Sequence, residues 1–132
     1  MNIVITLQKR LIYAILDGQK KYEMRKQIPR HVRVGEDGFF CVEKGTKNVL
    51  CWCRIDKFLV LATDIDHHPL LPKSLAVSRE YVRRYMKGKP VKLWKIGKVV
   101  RFEKPLELNR DLLVPRAPQS FAYTPLSYGE SF

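Results

Sequence analysis

The stretch Leu16-Asp17-Gly18-Gln19-Lys20-Lys21-Tyr22-Glu23-Met24-Arg25 joins a predicted helix to a predicted strand. Apolar residues between positions 11 and 16 have the spacing of a helix face, and Gly18 fits the left-handed position that ends many helices. The alternation that follows predicts a strand. On that strand Glu23 and Arg25 share one face, so a carboxylate and a guanidinium lie side by side directly after a helix–glycine turn.

The charges of this stretch have a chemical interpretation. Lys20 lies at the start of the strand, and its long side chain can reach the face that carries Glu23. A carboxylate between cations stays ionised. Lys20, Glu23 and Arg25 together present donors that suit a phosphate or a base carbonyl, and one acceptor that suits a base amine. The alternative is a surface strand whose charges pair without any function, and spacing alone leaves both interpretations open.

The remaining segments predict further strands, one more helix and a long loop. Thr6 suits a helix cap, Gly97 predicts a break in strand alternation, and Pro105 is expected to end the last strand. This order predicts an α+β fold, with a small barrel or curled sheet of about five to six strands and two short helices at its rims. We expect strands at 2–6, 20–26, 39–43, 48–58 and 91–103, the second helix from Ser78 to Gly88, and the loop at 63–77.

The positive charge of the chain is concentrated in one segment. The 132 residues carry 25 basic and 13 acidic side chains, a formal net charge of +12. Residues 73–104 hold 11 basic and 2 acidic side chains, a net +9. Such a field attracts polyanions, and nucleic acid is the commonest polyanion in a cell. A solubilising surface, an anionic membrane surface and an acidic protein partner are the alternatives.

The second predicted helix carries much of this charge. Its apolar face combines two tyrosines with Val82 and Met86, whereas the opposite face presents cations at a spacing of four residues. The predicted contacts to a nucleic-acid backbone are Arg79, Arg83, Arg84, Lys87, Lys89 and Lys92.

The sequence argues against several classes of protein. Its longest apolar runs fall far short of the ~18 residues that a membrane span needs, and Lys9 and Arg10 follow the N-terminus too closely for a signal peptide. Three cysteines do not make a disulfide framework but suit a reducing compartment. We therefore expect a cytoplasmic protein with a single core and no membrane partner.

Cysteine and histidine residues offer a nominal metal-ligand set. Cys51 and Cys53 lie on one side of a predicted strand, and His67 and His68 follow in the loop. A C-x-C pair on a strand does not wrap a metal ion as a tight turn does, so we expect buried thiols, no metal and no cofactor. A Cys–His nucleophilic pair, or acid–base chemistry by the histidines, is a further alternative.

Aromatic residues provide a second way to bind a base, because they can stack on it. Trp94 lies in an alternating strand, flanked by Lys92 and Lys95. This setting allows either a core position or an exposed platform, and a core position is the default. The candidates for stacking are Tyr22, Trp52, Trp94 and Tyr123.

The opening stretch resembles the G-x-K-x-x-E-x-R signature of ASCH domains, which belong to the PUA-like superfamily. The segment Val32-Arg33-Val34-Gly35-Glu36 is similar to the family's turn into a central strand, and residues 78–105 are similar to its second helix and closing strand. This resemblance predicts an ASCH/PUA-like domain over residues 1–106. Residues 107–132 then form an extended C-terminal tail packed on the same domain.

Part of the tail has a resemblance of its own. Residues 116–123 are similar to a C-terminal Pro-Gln-Ser-aromatic segment of some family members. If the tail folds back over a cleft, Gln119 and Tyr123 are the residues expected there.

The resemblance implies a small PUA-like β-barrel with an RNA-binding cleft beside the signature. Carried over by position, Gly18 shapes the turn, and Lys20, Glu23 and Arg25 line the cleft with Lys21 beside them. The first hypothesis is therefore a module that binds RNA, another nucleic acid or a nucleotide.

The second hypothesis is an enzyme of the same fold that hydrolyses a modified nucleoside or RNA. One enzymatic branch has a similar signature with a threonine nucleophile at the position of Glu23, and it removes an acetyl group from N4-acetylcytidine. A carboxylate can act as a base toward water but is a different nucleophile. Lys20 and Glu23 carry the chemistry in this alternative, and a basic surface that engages a protein partner is the third hypothesis.

Overall fold

The computed structural model describes residues 1–127 and shows one mixed β-sheet with short helices packed around it. The strands are β1 (Asn2–Leu7), β2 (Tyr22–Arg25), β3 (Gly38–Glu43), β4 (Asn48–Leu61), β5 (Val91–Glu107) and β6 (Ala122–Thr124). The helices are α1 (Lys9–Leu16), α2 (Leu71–Leu75), α3 (Arg79–Met86) and α4 (Leu108–Leu112), with a 3₁₀-helix at Ile65–His67. None of these helices has the length and apolarity required to cross a membrane.

The strands follow the order β2-β5-β4-β3-β1-β6. Strand β1 pairs with β3 in parallel, whereas the other pairings in residues 1–127 are antiparallel. The predicted α+β class is therefore confirmed. The predicted closure into a barrel is not seen, because no ladder in the described range joins the edge strands β2 and β6. A side chain bridges these edges instead, since Arg25 Nη1 donates to the Ser120 carbonyl at 2.9 Å.

The two long strands β4 and β5 bend where their register shifts. One shift lies between the partners Cys53–Val99 and Ile55–Ile96, and Gly97 falls inside it. A Cβ atom at Gly97 would lie 2.1 Å from Asp56 Oδ1, so the Asp56 side chain would have to move to admit any other residue. The break in alternation predicted at this glycine is confirmed.

Three buried clusters hold the helices on the sheet. Helix α1 packs through Ile12 and Ile15 against a group that includes Phe39 and Trp94. Helix α3 belongs to a separate cluster, with Val82 among the buried residues of β2 and β5. Helix α4 packs in a third cluster around Phe40 and Trp52. The helices α1 and α3 therefore flank β2, and a cleft opens between them.

The loop predicted at 63–77 is wrong in part, and so is the prediction of only two helices. This segment contains the 3₁₀-helix and α2. The Asp64 carboxylate accepts from the Asp66 backbone N–H, which caps the 3₁₀-helix, and Pro72 lies in the first turn of α2. Asp and Pro are common in loops, but both also suit the start of a helix, where the backbone N–H groups have no partner within the helix. An Asp side chain accepts from such an N–H, and Pro has none to leave unpaired.

The chain after residue 103 is also more ordered than predicted. Strand β5 continues past Pro105, so the prediction that this proline ends the strand is wrong. Pro105 lies between Arg101 and Leu106, where the pairing with β4 shifts its register, and its missing N–H is therefore tolerated. Residues 107–127 are not simply extended, since they contribute α4 and β6. The Thr124 hydroxyl donates to the Leu112 carbonyl at 2.6 Å and ties these two elements together.

The leucine pair at the end of α4 tests whether this segment is part of the core. Leu112 is fully buried, whereas its neighbour Leu113 is 66% exposed. We expect Leu112→Ala to lower the free energy of unfolding by about 2–5 kcal/mol, through lost burial and a residual cavity. The control Leu113→Ala is expected to change it by less than about 0.5 kcal/mol. Urea denaturation measures both, and equal small effects would mean that α4 only rests on the surface.

Candidate functional site

A buried cluster of three charged side chains lies at the start of β2. The Lys20 ammonium is 3.1 Å from Glu23 Oε1, and Arg25 Nε donates to Glu23 Oε2 at 2.7 Å. The Lys20 and Glu23 side chains are only 3% and 6% exposed. Lys20 Nζ also donates to the Leu75 carbonyl at 3.0 Å. The predicted proximity of these charges is thus present in the structure, and we call Lys20, Glu23 and Arg25 the charge cluster.

The turn after α1 positions this cluster. Gly18 has φ +85°, the left-handed conformation predicted for it, and the Lys20 backbone N–H donates to the Ala14 carbonyl at 2.9 Å. The next residue, Lys21, donates from its backbone to the Ser74 carbonyl at 2.7 Å. The chain is therefore fixed on both sides of Lys20 before β2 begins.

The Glu23 carboxylate remains ionised despite its burial. Burial acts to raise its pKa, but the charges of Lys20 and Arg25 and their hydrogen bonds outweigh this effect, so the pKa of Glu23 is lower than its usual value of 4.5. An ionised carboxylate accepts only, and its two oxygens offer about four lone-pair directions. Lys20 and Arg25 occupy one direction on each oxygen, which leaves acceptor capacity toward a ligand.

A cleft of about 870 Å³ opens beside the charge cluster. Its volume falls in the range of roughly 300–1,000 Å³ that is common for ligand sites. The residues after β1, the α2–α3 segment and the tail form its walls. Its lining includes Leu7, Gln8, Arg10, Lys20, Glu23, Arg25, Lys73, Ser78, Tyr81, Arg84, Tyr85 and Gln119.

The tail crosses the mouth of this cleft. The Thr6 hydroxyl donates to the Pro118 carbonyl at 2.7 Å, and Arg25 bonds to the Ser120 carbonyl. Gln119 lies between these two anchored residues and lines the cleft, whereas Tyr123, the other residue expected there if the tail folds back, does not. The prediction that Thr6 caps α1 is wrong, because Gln8 occupies the cap position and the Thr6 hydroxyl is bonded to the tail.

The structure divides the cations predicted to contact nucleic acid. Arg84 lines the cleft together with the charge cluster. Arg79 and Arg83 form salt bridges with Asp66 of the 3₁₀-helix instead. Lys87 lines a second, smaller cavity. The predicted residues that line neither cavity are Lys21, Lys89 and Lys92, together with Arg79 and Arg83.

The predicted stacking residues do not line the cleft. Trp52 and Trp94 are buried, and their indole N–H groups donate to Asn2 Oδ1 and to the Gln27 carbonyl, both at 3.2 Å. Tyr22 packs against the cluster under α3, and the Tyr123 hydroxyl accepts from the His31 backbone. The default interpretation of Trp94 as a core residue is confirmed, and its ring lies 5.9 Å from the Arg25 guanidinium carbon.

Two aromatic residues that line the cleft were assigned to the core from the sequence. Tyr81 is 45% exposed and Tyr85 is half-buried, whereas Val82 and Met86 on the same predicted face are buried. The spacing of four residues between the tyrosines was the available signal, because it places both rings on one side of α3.

The three cysteines form a group, of which the sequence indicated only the pair Cys51 and Cys53. Cys41 of β3 joins Cys51 and Cys53, and the three sulfur atoms lie within 4.8 Å of one another. All three thiols are free and buried beside Phe39 and Trp94. Burial raises the pKa of the Cys41 thiol well above its usual value of 9.0, so this thiol packs as a small apolar group.

The histidines are not part of this group. Within residues 1–127 the three cysteines approach one another as metal ligands would, without a histidine or a carboxylate among them. His67 and His68 are exposed at the 3₁₀-helix, and the His68 ring bonds to the Thr63 hydroxyl at 2.9 Å. The nominal Cys–His metal set and the Cys–His nucleophilic pair are therefore not assembled. Any soft metal ion would have to be held by the three thiols alone.

The chain resembles solved ASCH structures in fold. The ASCH protein of Zymomonas mobilis superimposes with a TM-score of 0.73 at 18% identity, over 92% of this chain and 86% of that chain. Serine-to-alanine and tyrosine-to-phenylalanine variants of that protein give TM-scores of 0.71 and 0.69 at 17% and 19% identity, each over 92% of this chain. No family model and no curated protein matches the sequence. The chain thus has the fold of an ASCH domain, as its signature predicted.

The charge cluster predicts a pH-dependent contribution to stability. Glu23→Gln leaves two cations without their counter-ion, so we expect the free energy of unfolding to fall by about 3–5 kcal/mol at neutral pH. Because the folded-state pKa of Glu23 lies below its usual 4.5, this contribution is present above that value and is lost as the pH falls through the folded-state pKa. The wild type and the variant therefore converge in acid.

Urea denaturation at neutral and acidic pH measures this convergence. Glu36→Gln is the control, because the pair between Glu36 and Arg33 is exposed and its loss is expected to change stability little. A Glu23→Gln deficit that stays constant into acid would show that the carboxylate charge is not the stabilising feature.

Proposed function

We propose that this protein is an ASCH-type module that binds a nucleotide of RNA in the cleft, with the charge cluster as its recognition element. The observation that supports the proposal best is the Glu23 carboxylate, which is buried, ionised and fixed between two cations at the edge of a cleft. The similarity in fold to ASCH proteins supports the same assignment. The proposal includes a cytoplasmic location, because free, buried cysteines suit a reducing compartment.

The chemistry of the cluster suits a base that carries N–H donors. Glu23 can accept from an exocyclic amine, and the guanidinium of Arg25 has five N–H donors, of which Nε and Nη1 are already bonded. The remaining donors can meet a carbonyl or a ring nitrogen. Adenine and cytosine present an amine where uracil presents a carbonyl. The site is therefore expected to prefer bases that carry an exocyclic amine, which are adenine, cytosine and guanine, over uracil, which carries none.

Cations around the cleft suit the phosphates of the same ligand. Arg84 on α3 and Lys73 on α2 line one wall, and Arg10 on α1 lines another. Other cations add a long-range field that speeds the approach of a polyanion. They are Lys21 and, within the basic segment 73–104, Arg79, Arg83, Lys87, Lys89 and Lys92. Binding is accordingly proposed to depend on salt.

The geometry favours binding over the hydrolytic alternative. A general base works best when its pKa lies near the working pH, and the pKa of Glu23 is shifted the other way. The Lys20 ammonium is paired with Glu23 and donates to the Leu75 carbonyl, so it is held in fixed contacts. Fixed and fully charged partners are suited to recognition.

Adjacent arginines on α3 provide a matched test of the cleft. Arg84 lines the cleft, whereas Arg83 is bound to Asp66. We expect Arg84→Ala to weaken binding of a labelled single-stranded RNA and to reduce the slope of log K against log salt by about 0.7, the value for one lost phosphate contact. Arg83→Ala is expected to have a smaller effect. Fluorescence polarisation across a salt series measures both, and equal losses would indicate only a diffuse electrostatic surface.

Base preference tests the charge cluster itself. Wild-type protein is expected to bind oligoadenylate or oligocytidylate more tightly than oligouridylate. Glu23→Gln replaces an acceptor by an amide that also donates, so the preference should shrink by about 5- to 100-fold, the value of one good base contact. Competition binding measures the ratio under conditions where circular dichroism shows the variant to be folded. Equal affinity of wild type for all three oligomers would contradict this role of Glu23.

A further inference from the structure

A second cavity adjoins the cleft across a shared wall. It has a volume of about 430 Å³ and is lined by Lys26, Tyr81, Arg84, Tyr85 and Lys87. Tyr81, Arg84 and Tyr85 also line the main cleft. The two cavities therefore meet at these three side chains.

The shared wall presents aromatic surface in a basic setting. The Tyr81 and Tyr85 rings are stacked, with centroids 6.3 Å apart and planes inclined by 18°. Tyr81 is 45% exposed, so part of its surface is open to solvent. The Lys26 ammonium lies 5.2 Å from the centroid of Tyr85. Stacked aromatic rings beside cations are the usual means of holding successive bases of a single strand.

The wall is anchored to the strand that carries the charge cluster. Tyr85 is hydrogen-bonded to the backbone of Lys26, which directly follows Arg25. Burial raises the pKa of the Tyr85 phenol, so this group stays neutral. Tyr85 therefore lies between the end of β2 and the Tyr81 ring.

We infer that the Tyr81–Tyr85 wall and the second cavity hold the nucleotide next to the one in the cleft, so the ligand is single-stranded RNA of at least two nucleotides. This inference rests on the proposed function. The neighbouring base stacks on Tyr81, and the phosphate between the two nucleotides lies near Arg84, which faces both cavities. The three charged side chains that line the second cavity, Lys26, Arg84 and Lys87, are all basic, which suits a phosphate.

The inferred ligand is a strand rather than a duplex. Bases inside a duplex are stacked on one another, and their faces are not available to a tyrosine. The charge cluster is also buried at the edge of a cleft, where a base can reach it only when unpaired. Both parts of the site therefore require splayed bases.

The test compares AMP, a short oligoadenylate and a blunt duplex RNA by competition binding. We expect wild-type protein to bind oligoadenylate at least tenfold more tightly than AMP and more tightly than the duplex. Tyr81→Ala should reduce the ratio of these two single-strand affinities by about 5- to 100-fold, the contribution of one stacked base. Tyr13→Ala is the matched control, because Tyr13 is a 42% exposed tyrosine on α1 with the Lys9 ammonium 5.8 Å from its centroid, and it lines neither cavity.

The outcomes separate this inference from the function on which it rests. If AMP binds but oligoadenylate binds no better, or if Tyr81→Ala leaves the ratio intact, the second subsite is refuted and the nucleotide cleft stands. Duplex binding as tight as that of the single strand also refutes the subsite. If AMP and oligoadenylate both fail to bind at low salt, and oligocytidylate fails as well, the proposed function itself is refuted. A selective loss in Tyr81→Ala, with Tyr13→Ala equal to wild type, supports the second subsite.

Discussion

The burial of the Glu23 carboxylate is the constraint on which the site depends. Removing a charge from water costs several kcal/mol unless it is paired and hydrogen-bonded, and Lys20 and Arg25 supply the pairing. Each cation is then satisfied elsewhere, since Lys20 bonds to the Leu75 carbonyl at the end of α2 and Arg25 bonds to the Ser120 carbonyl in the tail. One ion network thus joins β2 to two of the segments that wall the cleft, α2 and the tail. The side chains that carry the charge of the cleft therefore also hold two of its walls in place.

This arrangement supports the proposed recognition role over the hydrolytic alternative. Both cations hold the carboxylate in place and keep it ionised, so it meets a ligand with fixed position and fixed charge. Such preorganisation lowers the cost of ordering groups on binding. A reactive base requires the opposite balance, with burial left uncompensated so that its pKa rises toward neutrality. The relative weight of burial and ion pairing at Glu23 therefore decides which chemistry the cleft supports.

Local sequence patterns predicted the features that depend on local physics. Gly18 adopts the left-handed conformation, Ser78 caps α3 by accepting from the Tyr81 N–H, and Glu23 and Arg25 share a face of β2. Features set by distant partners could not be predicted. Cys41 joins the other two cysteines only through pairing of β3 with β4, and Thr6 bonds to a residue 112 positions away. The helix α2 was missed because its proline and short length suggest a loop.

The charge of α3 shows most clearly what a sequence pattern leaves undecided. Arg79, Arg83 and Arg84 look equivalent on a helical face, but Asp66 pairs with two of them and leaves the third toward the cleft. The apolar face is divided in the same way, because Val82 enters the core while Tyr81 stays exposed beside Arg84. A net charge of +9 over residues 73–104 therefore attracts a polyanion at long range. In the proposed function, affinity and selectivity depend instead on the side chains that line the cavities, among them Arg84, the two tyrosines and the buried charge cluster.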